Sequence, residues 1–141
     1  MKKSTVLKSV AALSLAFVSG VTMAAAPANL SIINNTGFTT NAYVHDVASP
    51  NVLGPHNFEL IAWSDVTNLC HNTMPPLMNS SDPCAFEVYA TNDPQNNPKQ
   101  IDVGTVMIYL SDGHVGYVDN KAQSYGLKIV AIAPGQLAVF G

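Results

Sequence analysis

Two cysteines, Cys70 and Cys84, bracket the segment CHNTMPPLMNSSDPC. That bracket limits the folds open to the chain more than any other feature. In an exported chain such a pair is most simply a disulfide. Closing a loop of about 15 residues stabilises a small domain by roughly 3 kcal/mol, a large share of the roughly 5–15 kcal/mol such a domain has in total. Inside the loop, Pro75 and Pro76 enforce extended backbone, and Ser81-Asp82-Pro83 reads as a turn. The segment that follows, CAFEVYAT, is a clear strand: Phe86, Val88 and Ala90 alternate with Glu87, Tyr89 and Thr91, which places two sets of side chains on opposite faces.

Export is read from the opening residues. Lys2, Lys3 and Lys8 precede an apolar run from Val10 to Val18, and Met23-Ala24-Ala25-Ala26 supplies small residues for cleavage. This is the pattern of a secretory signal peptide. The expected division is a leader over 1–24 and one domain over 25–141, secreted or periplasmic. No later apolar run approaches the length of a membrane span. The chain has no Arg, and Lys99, Lys121 and Lys128 are its only basic residues beyond the leader. Against nine acids they give a net charge of −6 after cleavage. Nucleic-acid binding requires a basic footprint and is excluded on this ground. A phosphate or carboxylate ligand would lack its usual Arg fork, whereas cations, proteins and neutral glycans remain compatible partners.

The rest of the chain alternates short apolar segments with turn clusters. Strands are expected over ANLSIIN (28–34), FTTNAYVHD (38–46), FELIAW (58–63), the segment after Cys84, QIDVGTVMIYL (100–110), residues 114–118, YGLKIVAI (125–132) and 137–140. Asn34-Asn35-Thr36-Gly37 reads as a hairpin turn joining the first two. The stretch 64–69 reads as strand or irregular. The apolar alternation in 100–110 changes phase at Gly104, as a bulge requires. Ser111-Asp112-Gly113 reads as a hairpin turn, and Ala133-Pro134-Gly135-Gln136 suits a type II turn. The sum is an all-β fold, an antiparallel two-sheet β-sandwich of seven to eight short strands with one disulfide. A small β-barrel is the second choice.

The stretch LSIINNTGFTTNAYV is similar to the first hairpin of secreted β-sandwich proteins, thaumatin-like proteins among them, although the many cysteines of that family are missing. The leader, the small size, the single cysteine pair and the closing PGQLAVFG resemble small proteins exported by Gram-negative bacteria, including substrates of the type II route. That resemblance implies an extracytoplasmic address and a host- or envelope-facing role. It assigns no site residues.

No local catalytic signature is present: no Gly-x-Ser-x-Gly, His-Glu-x-x-His or Ser-x-x-Lys occurs. Glu59 and Glu87, the only glutamates, fall on separate strands and would form a glycosidase pair only if brought within about 5–10 Å. His45, His56, His71 and His114 lie on different segments and lack zinc-ligand spacing. No cofactor is expected. Only tertiary proximity could make a transition-metal site of these histidines; calcium is the other cation the sequence accommodates, through the oxygens of Asn92, Asp93, Asn96 and Asp102 around one turn, with solvated turn residues the plainer reading. Met74, Leu77 and Met78 form an apolar tip within the Cys70–Cys84 loop, fit either for tucking onto the core or for recognising a partner. Tyr89 and Tyr117 are candidates for a flat contact with a sugar ring or a protein, while Trp63 is expected in the core. The functional expectation is an exported, non-catalytic binding or interaction module. The alternatives are a secreted hydrolase with a non-local site and a structural component of the envelope or a surface assembly.

Overall fold

The computed structural model describes residues 25–73 and 82–141. The leader and the apolar tip Met74, Leu77 and Met78 lie outside the described residues. Among the described residues nine strands form two sheets. They are β1 (Asn29–Asn35), β2 (Thr39–Val44), β3 (Val47–Ala48), β4 (Asn57–Ala62), β5 (Cys84–Thr91), β6 (Ile101–Ile108), β7 (Val115–Asn120), β8 (Lys128–Ala133) and β9 (Gln136–Phe140). One sheet has the order β4-β1-β9-β8 and the other β3-β2-β5-β6-β7. All strand pairs are antiparallel except β1 with β9, which run parallel. The fold class is the expected sandwich, with a two-residue β3 added to the anticipated strands.

Alternation builds the core. Along β5, Cys84, Phe86, Val88 and Ala90 are buried while Ala85 is exposed and Glu87 and Tyr89 are half-buried. On β6 the inward set is Ile101 and Val103, then Val106 and Ile108. The register slips there: Val88 pairs with Gly104 but Tyr89 pairs with Asp102, so Val103 is an extra residue. This is the bulge expected from the phase change. Gly104 sits at φ 153°, and a Cβ on it would collide with the Asp119 carbonyl oxygen. The Pro134-Gly135 turn joins β8 to β9, with Gly135 at φ 71°.

Three sequence expectations are corrected. First, β1 and β2 do not form a hairpin; they belong to different sheets. The Asn34-Asn35-Thr36-Gly37 turn is a corner between the sheets, built on the buried Asn34 side chain. Its Nδ2 donates to the carbonyls of Phe38 (2.7 Å), Gly54 (2.9 Å) and Leu53 (3.3 Å), and its Oδ1 accepts from Thr36 Oγ1 at 2.7 Å. Second, the stretch after Ala62 is helical: α1 spans Trp63–Thr73. Trp63, Val66 and Cys70 are buried, one face of a 3.6-residue period. Trp63 Nε1 donates to the Leu110 carbonyl at 3.0 Å, so the indole is in the core as expected. Third, Tyr125 ends a short 3₁₀ turn over Gln123–Tyr125 rather than opening a strand.

The disulfide joins Cys70 in α1 to Cys84 at the head of β5, with a Cα–Cα distance of 6.0 Å. It ties the helix to the five-stranded sheet. The helix also packs on β4, β1 and β2, along the side where the two sheets part. On the other side β7 and β8 lie in contact.

Candidate functional site

Where the sheets part, their inward side chains belong to one apolar core cluster but do not fill the space between them. A cavity of about 650 Å³ remains between them, within the roughly 300–1,000 Å³ usual for small-molecule sites. Leu30 and Ile32 of β1, Ile61 of β4, and Leu137 and Val139 of β9 form one wall; Ala42 and Val44 of β2 with Phe86 and Val88 of β5 form the other. Val66, Leu69 and Cys70 of α1 close one end. The wall residues are apolar because each occupies an inward position in its strand's alternation; the cavity exists because α1, not another strand, spans the gap.

The mouth is polar and held by hydrogen bonds. The segment 49–53 is pinned to β2 by the mutual backbone bonds of Thr40 and Leu53, at 2.8 and 2.9 Å. From it, Asn51 Nδ2 reaches across to Glu59 Oε2 on β4 at 2.7 Å, linking the edges of the two sheets. Asn41 Nδ2 donates to the Ser49 carbonyl at 2.9 Å, and Asn41 Oδ1 accepts from the Ala42 amide at 2.9 Å. Asp65, in the first turn of α1, completes the rim. Among the described residues no Lys, Arg or His lines the cavity. Nothing in the sequence announces this site, since a cavity is a property of what opposing faces fail to fill.

The candidates from sequence are distributed as follows. Tyr89 lies on the outward face of the five-stranded sheet, half-buried and already engaged. It meets Tyr43 edge-on at 5.3 Å, and Lys99 Nζ stands over both rings, 4.7 Å from Tyr43 and 5.3 Å from Tyr89. Lys99 in turn pairs with Asp46 at 2.9 Å. The Tyr89 hydroxyl donates to Glu87 Oε1 at 2.9 Å. Burial, this hydrogen bond and the negative charges of Glu87, Asp102 and Asp46 push its pKa up to about 12. Tyr117 is exposed on the same face but pairs with Met107 further along β6, so the two tyrosines do not form one platform.

Around the 92–100 turn, Asn92 N donates to Gln100 Oε1, and Asn96 donates to Asp93 Oδ1 from both its amides, at 3.2 and 3.3 Å. Asp102 stands on β6 opposite Tyr89, 3.8 Å from Lys121; its Oδ1 is buried without a hydrogen-bond partner. Among the described residues no three His, Cys, Asp or Glu side chains converge as a metal site would need. His114 stacks on Tyr109 at 4.3 Å and bonds Asp112 at 2.6 Å. The hydrogen bond from the His114 amide, foremost, holds Asp112 below the usual carboxylate range. Glu59 points between the sheets, while Glu87 is on the outward face of the other sheet; they do not face one another.

One further surface stands out. On the outward face of the four-stranded sheet, Phe58, Ile33, Ala138 and Val130 pair in register across all four strands. Phe58 is 65% exposed, and Leu60, Phe140 and Ile132 beside this row are exposed as well.

A family model described as the type II secretion system substrate NttC matches residues 3–139. The chain belongs to the NttC family. The fold agrees with the crystal structure of the Legionella pneumophila type II secretion system substrate NttC, at a TM-score of 0.64 and 23% identity, covering 81% of this chain and 97% of that one. No curated protein matches the sequence. Membership of the NttC family makes this an exported, secreted protein, as the leader and the disulfide led one to expect. Among the described residues no helix is long and apolar enough to cross a membrane.

Proposed function

We propose that this secreted protein is a non-catalytic binding module whose ligand occupies the cavity between the sheets. The observation that carries the reading is an apolar cavity of about 650 Å³ opening at a hydrogen-bonded polar mouth. A folded core normally packs without voids larger than a water molecule, and sites for small molecules combine apolar walls with a few placed polar groups. The ligand class moves accordingly, from the protein or neutral glycan compatible with the sequence to a small, largely apolar molecule.

The test is titration of the oxidised protein with the neutral apolar dye N-phenylnaphthylamine, read by dye fluorescence. Ala42→Phe places a ring into the cavity, whereas Phe58→Ser removes an exposed ring on the far face. Loss of dye binding in the first variant and retention in the second is expected. Retained binding in a folded Ala42→Phe variant would overturn the proposal.

A second reading, a component of a surface assembly, is supported by the exposed apolar side chains Phe58, Leu60, Ile132 and Phe140 on the four-stranded sheet. Exposed apolar patches favour association. Sedimentation over a wide concentration range decides it: self-association abolished by Phe58→Ser supports an assembly of copies, and a monomer throughout removes it.

A further inference from the structure

The mouth of the cavity selects for the head group of what enters. Two of its amides are engaged, Asn51 Nδ2 on Glu59 and Asn41 Nδ2 on the Ser49 carbonyl; each carries a second N–H, and Asn68 also lines the cavity. The charged groups in the lining are the carboxylates of Glu59 and, at the first turn of α1, Asp65. Neither has a basic residue beside it in the lining. An anionic head would meet like charge and find no cation to pair with. A head carrying N–H or O–H groups meets carboxylate oxygens able to accept further bonds. The partial positive charge at the α1 N-terminus favours anions, but Asp65 already occupies that turn. Behind the rim, the walls are aliphatic side chains with one aromatic ring, Phe86.

We infer that the cavity takes a single-tailed amphiphile whose head is cationic or uncharged and donates hydrogen bonds, of the long-chain amine or alcohol type, and discriminates against fatty-acid carboxylates. This rests on the binding module proposed above and assigns its ligand class.

Calorimetric titration of the oxidised protein with dodecylamine, dodecanol and dodecanoate, each below its micellar concentration at neutral pH, tests both levels. The expected result is binding of the amine and the alcohol, with the carboxylate at least roughly tenfold weaker, about 1.4 kcal/mol. The preference between amine and carboxylate should narrow at high salt, because it is electrostatic. Glu59→Gln should narrow it too. Equal or tighter binding of dodecanoate overturns the head-group inference and leaves the cavity as a binding site. Binding of none of the three overturns the binding module itself. The three-ligand comparison on the unaltered protein stands even if Glu59→Gln fails to fold.

Discussion

Asn34 is the side chain on which the corner between the sheets depends, and its replacement by Ala should be among the most costly single changes. The residue is fully buried. Removing its side chain deletes the bonds to Phe38 O, Gly54 O and Leu53 O and the acceptor for Thr36. Not all of these become orphans. Leu53 O keeps the Thr40 amide, and Thr36 Oγ1 keeps Phe38 O at 3.3 Å. With roughly 1 kcal/mol net for each of the three short bonds, the loss comes to about 3 kcal/mol before any desolvation cost for the carbonyl of Gly54. In urea that lowers the midpoint by roughly 1–3 M. Asn34→Asp should be worse at neutral pH, because a carboxylate would then face carbonyl oxygens. Burial among acceptors raises the carboxyl pKa in the folded state, so the variant keeps its stability below the ordinary carboxylate range and loses it progressively as pH rises from about 4 to the raised folded value. Urea titrations of the native protein and both variants, at neutral and acid pH, give the result directly. A loss under about 1 kcal/mol for Asn34→Ala, or an Asn34→Asp variant no worse than Asn34→Ala at neutral pH, would refute the account of the corner.

Replacing Cys70 and Cys84 together by Ala should cost roughly 3 kcal/mol by freeing the loop in the unfolded chain; reductant should lower the melting temperature of the native protein and leave that of the variant unchanged. Tyr89, whose pKa is near 12 in the fold against about 10 unfolded, favours its neutral form when folded. Its contribution is complete below about pH 10 and is lost as pH rises toward 12; tyrosinate absorbance should show one late-titrating tyrosine, and Glu87→Gln should bring it earlier without abolishing the rise due to burial. Gly104→Ala should destabilise by at least about 2 kcal/mol, because the backbone is at φ 153° and the new methyl meets the Asp119 carbonyl; amide hydrogen exchange should quicken first in the β6–β7 pair.

Local signals were legible where local chemistry sets the structure. The alternation of β5, the phase change at Gly104 and the Pro134-Gly135 turn depend on near neighbours, and each reads correctly from the residues. The Asn34 corner does not, because Asn-Asn-Thr-Gly suits a hairpin and a change of sheet equally. Which one forms is decided by Leu53 and Gly54, whose carbonyls arrive from far along the chain. The helix was present in the sequence as Trp63, Val66 and Cys70, but Ser64, Asp65, Thr67 and Asn68 between them are weak helix formers. Packing against β4, β1 and β2 and the disulfide supply what propensity lacks. Tyr89 and Tyr117 share a sheet face, as their alternation allows, yet register keeps them apart. The cavity had no sequence signal: each wall residue reads as an ordinary core position, and only the spacing of the two sheets distinguishes a lining from a filling.

The parallel pairing of β1 with β9 makes completion of the four-stranded sheet wait on residues far along the chain from its first strand. Ile33 pairs with Ala138, most of the chain away, and β9 lies between β1 and β8. Before β9 arrives, β8 has no neighbour in its sheet and β1 has only β4. Both would present open strand edges that β9 covers in the finished sheet, the condition under which chains pair with the wrong partner. Folding dominated by such distant closure is slow. The arrangement therefore acts as a check on completeness: a chain interrupted before Gln136 cannot bury its first strand, and remains open to proteases until the closing segment is in place.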